Sequence, residues 1–311
     1  MRVLDEAGLA LLNDLSAAAG DTLGAAVFFG SRSSGVATTS ASAYDLMLVC
    51  DEPGRFYETM RYAGLLRRSP MLLSLLDPLL PPTQIRLARD PWLVKASVLS
   101  LKALRRATSN QRKDQFLAGR MFQDVHVVWA RDEDFEKQIE EAIESARLVT
   151  LDWVRPDLPD TFTAGEYLRQ LFRTSFRFEV RPETGGRADA LSTAQAPRLI
   201  PVFEGVLRRL AAQGQLKEVG QGSYSLSGMA TGRGNFARRV FMEWSRVRAT
   251  ARWPKHAITF DGWLDYIVKK AERHSGETIV LGPWERRLPF VLLWPRVFRF
   301  LARQRGKGRS V

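Results

Sequence analysis

Two short features between residues 26 and 51 carry residue types that could act on a phosphate ester. An apolar run ends in Gly30-Ser31, and a second apolar run opens with Asp45. Glycine and serine allow the backbone to approach phosphate oxygens closely. A carboxylate such as Asp45 is a hard oxygen ligand for Mg²⁺, whose remaining positions nucleotide phosphates can fill. Gly30, Ser31 and Asp45 are therefore candidate residues of a site for chemistry on a nucleoside triphosphate.

The spacing resembles that of nucleotidyltransferases, in which a Gly-Ser turn precedes a strand bearing two carboxylates two residues apart. Met47 stands where the second carboxylate is expected. Alternation along a strand places Asp51 on the same face as Asp45, from which it could serve at the strand's end. The predicted metal ligands are therefore Asp45 and Asp51, with Mg²⁺ as the cofactor.

Further segments make the chain resemble the mitochondrial-type CDP-diacylglycerol synthases, the translocator assembly and maintenance family of phosphatidate cytidylyltransferases. They are DLMLVCDEP (45–53), LVKASVLS with Lys95, FLAGRMFQDVHVV (116–128) with Arg120, TFTAGEYL and RFEVRPE around 162–183, and RVRATARWPKHAI (246–258). The Trp-His and Asn-His-Tyr-Ser elements of that family are absent after Pro53, where the chain reads GRFYETMRYAGLLRRS. The resemblance is to a divergent bacterial member.

This resemblance implies a Mg²⁺-dependent reaction of CTP with phosphatidic acid that gives CDP-diacylglycerol and pyrophosphate. The predicted catalytic residues are Asp45, Asp51 and Lys95. The predicted nucleotide-binding residues are Gly30, Ser31, Arg32 and Arg120. A phosphate monoester is already ionised near neutral pH, since its second pKa is about 6. The sequence has no histidine near the motif. No catalytic base is therefore assigned.

Composition sets the class of protein and of partner. Hydrophobic residues make up 45% and charged residues 26% of the 311 residues, as in ordinary globular proteins. The net charge of +12 indicates an anionic partner: a nucleotide, a nucleic acid or an anionic membrane. The single cysteine, Cys50, cannot form an internal disulfide, which favours a reducing compartment. The sequence contains no uninterrupted run of 18 apolar residues, so no membrane-spanning helix is predicted. The N-terminus has no signal or transit pattern.

The elements that must position these residues form a mixed first unit, residues 1–155. Periodicity predicts buried strands at 25–29 and 44–50, with further strands at 85–88 and 125–130. Helices are predicted at 3–19, 56–80, 91–106, 111–120 and 132–148. A proline-rich segment near Pro156–Pro159 ends this unit. We expect a nucleotidyltransferase fold, with a mixed sheet and helices.

The remainder is predicted to be mostly helical, so that the whole chain is α+β. Residues 156–235 carry a helix over 163–173 that Thr163 and Glu166 cap, a polar loop over 182–196, a helix over 199–213 and a hairpin around Gly220–Gly222. A helix followed by a hairpin resembles a winged helix. Residues 236–311 form a basic, amphipathic tail, in which 236–253 and 289–305 mix aromatics and arginines at helical spacing and predict contact with an anionic membrane.

Three functions stay open from sequence. The first is the phosphatidate cytidylyltransferase, bound peripherally to the inner face of the cell membrane, or to the matrix side of the mitochondrial inner membrane in a eukaryote. The second is a nucleotidyltransferase with a protein, RNA or small-molecule acceptor. The third is a non-enzymatic winged-helix protein that binds DNA. For this third function, helix 199–213 offers only Arg208, Arg209 and the adjoining Arg198 as side chains that could read bases, so no nucleic acid partner is expected.

Overall fold

The main sheet of this chain is mixed and has five strands, and the chain is α+β. The computed structural model describes residues 4–34, 43–89, 92–178, 186–228, 232–275 and 278–287. The predicted class is thereby confirmed at the level of α+β. The nucleotidyltransferase fold, the winged helix and the division at residues 155 and 235 stay predictions.

The strands of the main sheet follow the order β3-β4-β2-β1-β5. Their bounds are β1 Leu23–Phe29, β2 Tyr44–Cys50, β3 Thr83–Arg89, β4 Trp92–Ser100 and β5 His126–Ala130. Strands β2 and β4 are parallel, and the other neighbours are antiparallel. Both β1 and β2 are buried on both faces, which explains their continuous apolar sequences.

Helices cover both faces of this sheet. Their bounds are α1 Glu6–Ala19, α2 Ser31–Ser34, α3 Pro53–Tyr62, α4 Pro70–Leu76, α5 Leu101–Thr108, α6 Ala118–Met121, α7 Glu133–Leu148, α8 Leu151–Val154, α9 Ala164–Arg177, α10 Gly186–Ala212, α11 Gly232–Thr259, α12 Trp263–Ser275 and α13 Pro283–Arg287, with 3-10 turns at Gly20–Thr22 and Arg155–Asp157.

Two buried clusters of apolar side chains lie on the two faces. One cluster joins α1 and α3 to the sheet through side chains such as Leu12, Phe56 and Leu48. The other joins Met47 of β2 to side chains of α7, α9 and α10, including Phe203. This second cluster contains residues from both sides of position 155, so a continuous core links the first and second predicted units.

The prediction of a helix over 91–106 is wrong for its first part. Residues 92–100 form strand β4, and only α5 is helical. The reason is packing: Val94, Ala96 and Val98 alternate into one buried cluster, and the parallel partner β2 satisfies the backbone groups of β4. The predicted helix over 56–80 is two helices, α3 and α4, and the helix over 111–120 is only the short α6.

The second unit confirms the capping box and the hairpin. The Thr163 side chain accepts from the backbone of Glu166, whose carboxylate accepts from Thr163. Strands β6 Phe162–Thr163, β7 Leu216–Gly220 and β8 Ser223–Leu226 form a small sheet. The predicted polar loop over 182–196 is wrong from residue 186 onwards, where α10 begins, and residues 182–185 lie outside the described ranges.

Buried side chains explain this early start of α10. Ala188, Leu191, Ser192 and Gln195 recur at three- and four-residue steps and are all buried. Packing against the core thus overrides the polar composition that indicated a loop.

Helix α11 is fixed across the sheet by buried charges. The carboxylate of Asp114 lies 2.7 Å from Nε of Arg248 and 2.9 Å from Nη2 of Arg252. Burial alone would raise the pKa of Asp114, but the guanidinium groups of Arg252 and Arg248 hold that pKa below its ordinary value. The Thr259 hydroxyl donates to the carbonyl of Gln84 on β3, 2.6 Å away. These contacts hold the C-terminal half of α11 against β3.

No helix within the described ranges is both long enough and apolar enough to cross a bilayer. The amphipathic segment predicted over 289–305 lies outside the described residues.

Replacing Asp114 with alanine should strongly destabilise the fold, because the buried guanidinium of Arg252 then loses its carboxylate. Removing one partner of a buried ion pair typically costs about 3–5 kcal/mol. Urea denaturation followed by circular dichroism measures the free energy of unfolding. Asp265→Ala is the matched control, since it breaks a pair with Arg286 at 3.0 Å whose side chains are both more than half exposed. It should cost less than about 1 kcal/mol, and equal losses would contradict the role of Asp114.

Candidate active site

The turn after β1 packs directly against the carboxylate of Asp45. Gly30 has a φ of +92°, and a Cβ at this position would lie 2.6 Å from Oδ2 of Asp45. Both facts favour glycine, because side chains rarely adopt this conformation and none has room here. The structure therefore brings together the first two features singled out in the sequence.

A row of side chains crosses the sheet at this point. The register pairs Phe29 with Asp45, Asp45 with Lys95 and Lys95 with Arg86, so all four lie on one face. Nζ of Lys95 lies 3.6 Å from Oδ1 of Asp45, and each side chain is about a quarter exposed. Asp45 thus has the Gly30 turn on one side and the cation of Lys95 on the other.

Helix α11 contributes residues to this face of the sheet from far along the sequence. Lys255 donates to the carbonyls of Leu79 and Asp77, at 2.6 Å and 3.4 Å. Burial lowers the pKa of Lys255 to about 8. Arg252 donates to the carbonyl of Pro81 at 3.1 Å as well as to Asp114. These hydrogen bonds fix the turn of α11 that carries His256.

The ring of Phe116 lies among the cationic residues. The guanidinium carbon of Arg120 is 3.8 Å from the ring centroid, and that of Arg252 is 4.3 Å from it. The imidazole of His256 also contacts this ring, with 6.4 Å between centroids. Nη1 of Arg120 donates to the carbonyl of Phe116 at 2.8 Å. Stacking of cations on an aromatic face is favourable, so Phe116 orients both arginines.

His256 is a neutral imidazole in a positively charged environment. Burial, and then the charges of Lys95, Lys255, Arg252 and Arg120, lower its pKa to about 3. Its Nε2 is buried and has no hydrogen-bond partner within the part of the chain that the structure describes. Arg120 and His256 both contact the ring of Phe116, and Lys95 is the cation whose charge lowers the His256 pKa most.

Two predicted site residues lie elsewhere. Arg32 is 3.2 Å from Asp5 and stacks on Tyr44, which faces the cluster under α1 on the opposite side of the sheet from Asp45. Asp51 is 2.8 Å from Arg131 and follows the far end of β2. Six residues of strand separate it from Asp45, about 20 Å. The two carboxylates therefore cannot bind one metal ion.

Two further residues, Ser31 and Asp124, lie close to the segment that follows Gly30. The backbone of Ser31 begins α2, and its side chain lies outside what the structure describes. The carboxylate of Asp124 lies 3.2 Å from His126 and 2.7 Å from Arg198, and its carbonyl accepts from Ser33. Asp124 therefore supports the region after the Gly30 turn. Its pairing with Arg198 also removes one arginine from a DNA-reading role.

A magnesium ion would fit here only with help from a substrate. Among the described residues, no three His, Cys, Asp or Glu side chains form a group that could hold a metal. Asp45 offers one carboxylate, whose oxygens already face Lys95 and the Gly30 turn. One carboxylate together with nucleotide phosphates is a usual set of Mg²⁺ ligands. The residues present are therefore compatible with a metal that binds with a nucleotide.

Four neighbours of the site are not predicted by the sequence: His256, Arg252, Lys255 and Phe116. No histidine lies near the motif along the sequence, but His256 lies near Lys95 in space. The segments FLAGR and RVRATARWPKHAI contain all four residues. Their position over the sheet depends on the path of α11, for which local sequence carries no signal.

Comparison of the chain with protein-family models and with curated protein sequences found no match. The function must therefore be inferred from the contacts and charges of the residues described above.

The neutral state of His256 predicts how stability depends on pH. Its folded pKa of about 3 lies below the ordinary 6.5, so on acidification the unfolded chain takes up a proton that the folded chain does not. Stability should fall as pH decreases from 6.5 towards 3, with a slope from this group approaching about 1.4 kcal/mol per pH unit. Urea denaturation across this range should show a shallower slope for His256→Gln. Identical slopes would contradict a buried neutral imidazole.

Proposed function

We propose that this chain is a phosphatidate cytidylyltransferase, which converts CTP and phosphatidic acid to CDP-diacylglycerol and pyrophosphate. The observation that carries the proposal is the contact of Gly30 with the carboxylate of Asp45, beside the cation of Lys95. Asp45 and Lys95 belong to segments whose sequence resembles that enzyme family, and Gly30 belongs to the Gly-Ser turn that resembles nucleotidyltransferases. A glycine turn, a carboxylate and a lysine close together on neighbouring strands suit a triphosphate and its metal.

The proposed chemistry is a displacement at phosphorus. A phosphate oxygen of phosphatidate attacks the α-phosphorus of CTP, and a new O–P bond forms. The bond from that phosphorus to the bridging oxygen breaks, and its electron pair leaves with pyrophosphate. Negative charge grows on the leaving group, which would lie at the Gly30 turn, whereas the cations Lys95 and Arg120 would offset the charge of the attacking phosphate. The attacking oxygen is already ionised near neutral pH, so no residue needs to remove its proton.

Asp45, together with the phosphates of CTP, would hold Mg²⁺. The bound ion would offset negative charge on the triphosphate. Asp51 is left out of this metal site because it lies at the other end of β2. Arg32 is left out of the nucleotide site because its partners lie on the opposite face of the sheet.

A lipid substrate requires that the enzyme reach a membrane, and α11 has a surface suited to this. Phe236, Val240, Trp244 and Val247 recur at three- and four-residue steps, and each is more than half exposed. We call these residues the α11 stripe. Arg239 and Arg246 lie along one side of it on the helix. Arg246 lies 3.8 Å from the exposed carboxylate of Glu243, so Arg239 supplies the positive charge that suits an anionic lipid surface beside the apolar stripe. The proposed location is peripheral, on the inner face of the cell membrane.

Asp45→Asn should abolish formation of CDP-diacylglycerol, because an amide cannot replace the charged metal ligand. We expect a loss of at least about 100-fold in kcat, with radiolabelled CTP, Mg²⁺ and detergent-dispersed phosphatidate as substrates. Asp51→Asn is the matched control at the opposite end of the same strand and should keep its activity.

A wild-type protein that neither makes CDP-diacylglycerol nor binds CTP would overturn the proposed function. Transfer of label only to a protein, RNA or small-molecule acceptor would replace it with the second reading from the sequence.

Introducing a charge into the α11 stripe should weaken association with membranes. Val240→Glu places a carboxylate among exposed apolar side chains and next to anionic lipid headgroups, so co-sedimentation with phosphatidate-containing liposomes should fall. Val219→Glu is the matched control, because Val219 on β7 is also 53% exposed and lies outside the stripe. An equal loss in both variants, or in neither, would contradict membrane contact through α11.

A further inference from the structure

We propose that Lys95, Arg120 and His256 form a binding site for the phosphate monoester of the acceptor, separate from the turn that binds the nucleotide. The identity of the acceptor as phosphatidate rests on the proposed function. The site itself rests on the geometry around His256.

The first observation is a polar atom that lacks a partner. Nε2 of His256 is buried and makes no hydrogen bond to any described residue. Buried polar atoms in folded proteins almost always have a partner, and exceptions often mark a place for a ligand. A neutral imidazole with its proton on Nε2 can donate one hydrogen bond from that atom.

The surrounding charge decides which ligand is suitable. Four cations act on His256, and they are Lys95, Lys255, Arg252 and Arg120. Three carboxylates offset part of this charge, since Asp45 pairs with Lys95, Asp114 pairs with Arg252, and Asp77 acts on Lys255. Asp114 is also shared with a further cation, Arg248. The excess positive charge disfavours a metal ion at His256 and favours an anion with several oxygen acceptors, such as a phosphate monoester.

The strand order separates this site from the nucleotide turn. Strand β2 lies between β1 and β4, so Asp45 has the Gly30 turn on its β1 side and Lys95 on its β4 side. Lys95 faces Asp45 and also acts on His256. A triphosphate at the Gly30 turn and a monoester at Lys95 and His256 would thus approach Asp45 from opposite sides. This arrangement suits transfer between two phosphate-bearing substrates.

Lys255 and Arg252 have a different role in this proposal. Lys255 donates to two backbone carbonyls, and Arg252 is bound to Asp114 and to the carbonyl of Pro81. They are positioning residues, which hold the helix turn bearing His256. Phe116 positions Arg120 by stacking.

The test uses the few histidines of this chain. Full-length protein labelled with ¹³C at histidine should give signals from three residues, His126, His256 and His274, and the spectrum of His256→Gln assigns the one of interest. Addition of inorganic phosphate or of dihexanoyl phosphatidate should shift the His256 signal in a saturable way. CTP alone should leave that signal in place.

Variants separate the site from general attraction of anions. Lys95→Met should raise the dissociation constant for phosphate by at least about tenfold, as expected for the loss of one charge-assisted hydrogen bond. Arg105→Met is the control, because it removes a cation on α5, which follows the opposite end of β4 from Lys95, and it should leave the constant unchanged. In activity assays, His256→Gln should raise the KM for phosphatidate and leave the KM for CTP unchanged.

The outcomes distinguish this inference from the proposed function. A His256 signal that no phosphate compound moves overturns the site, even if the enzyme makes CDP-diacylglycerol. A signal moved by CTP alone, with phosphate competing, assigns the residues to the nucleotide instead and also overturns the inference. Saturable phosphate binding by a protein that is inactive with CTP supports the site and rejects the proposed function.

Discussion

The buried carboxylate of Asp114 is the contact on which the arrangement of the candidate site depends. It lies in a loop before α6 and binds two arginines that are one helical turn apart on α11. Removing water from three charges is costly, and only their close pairing makes the cluster tolerable. Movement of Arg248 or Arg252 would leave buried charges unpaired, so α11 is held in one position over the sheet. His256, one turn beyond Arg252, is therefore held beside Lys95.

A second constraint is the strand order. In a sheet ordered β3-β4-β2-β1-β5, Asp45, the second residue of β2, is flanked on one side by the end of β1 and on the other by β4. Because β1 runs antiparallel to β2, its end and the turn at Gly30 meet the start of β2. Because β4 runs parallel to β2, Lys95 is in register with Asp45. Topology alone thus surrounds one carboxylate with a glycine turn and a lysine.

Sequence reasoning succeeded where the signal is local and failed where tertiary contacts decide. Strands β1 and β2 could be predicted because strands buried on both faces are continuously apolar. Strand β4 was missed because Lys95 and Ser97 interrupt its apolar residues. These two side chains share the face of the sheet on which α11 lies. The alternation of Val94, Ala96 and Val98 was the signal available in the sequence.

The same distinction applies to the site. Gly30, Asp45 and Lys95 were predicted, and their proximity follows from two strand pairs. Asp51 was assigned by alternation, which fixes the face of a strand but says nothing about the distance along it. Arg32 was assigned because it follows the glycine turn, yet the adjoining helical turn directs it towards Tyr44. His256 is remote in sequence from all of these, so only the packing of α11 could reveal it.

Helix α11 finally connects the candidate site to a surface suited to lipid. At about 100° per residue, Arg252 and His256 lie on one side of the helix, and Val240, Val247 and Ile258 lie on the other. The first set faces the sheet, whereas the second is exposed. If the exposed side rests on a bilayer, the phosphate site lies about one helix diameter, 10–12 Å, from the lipid surface. A lipid phosphate would have to rise by that distance to reach Lys95, so the two proposals together require phosphatidate to leave the bilayer in part during transfer.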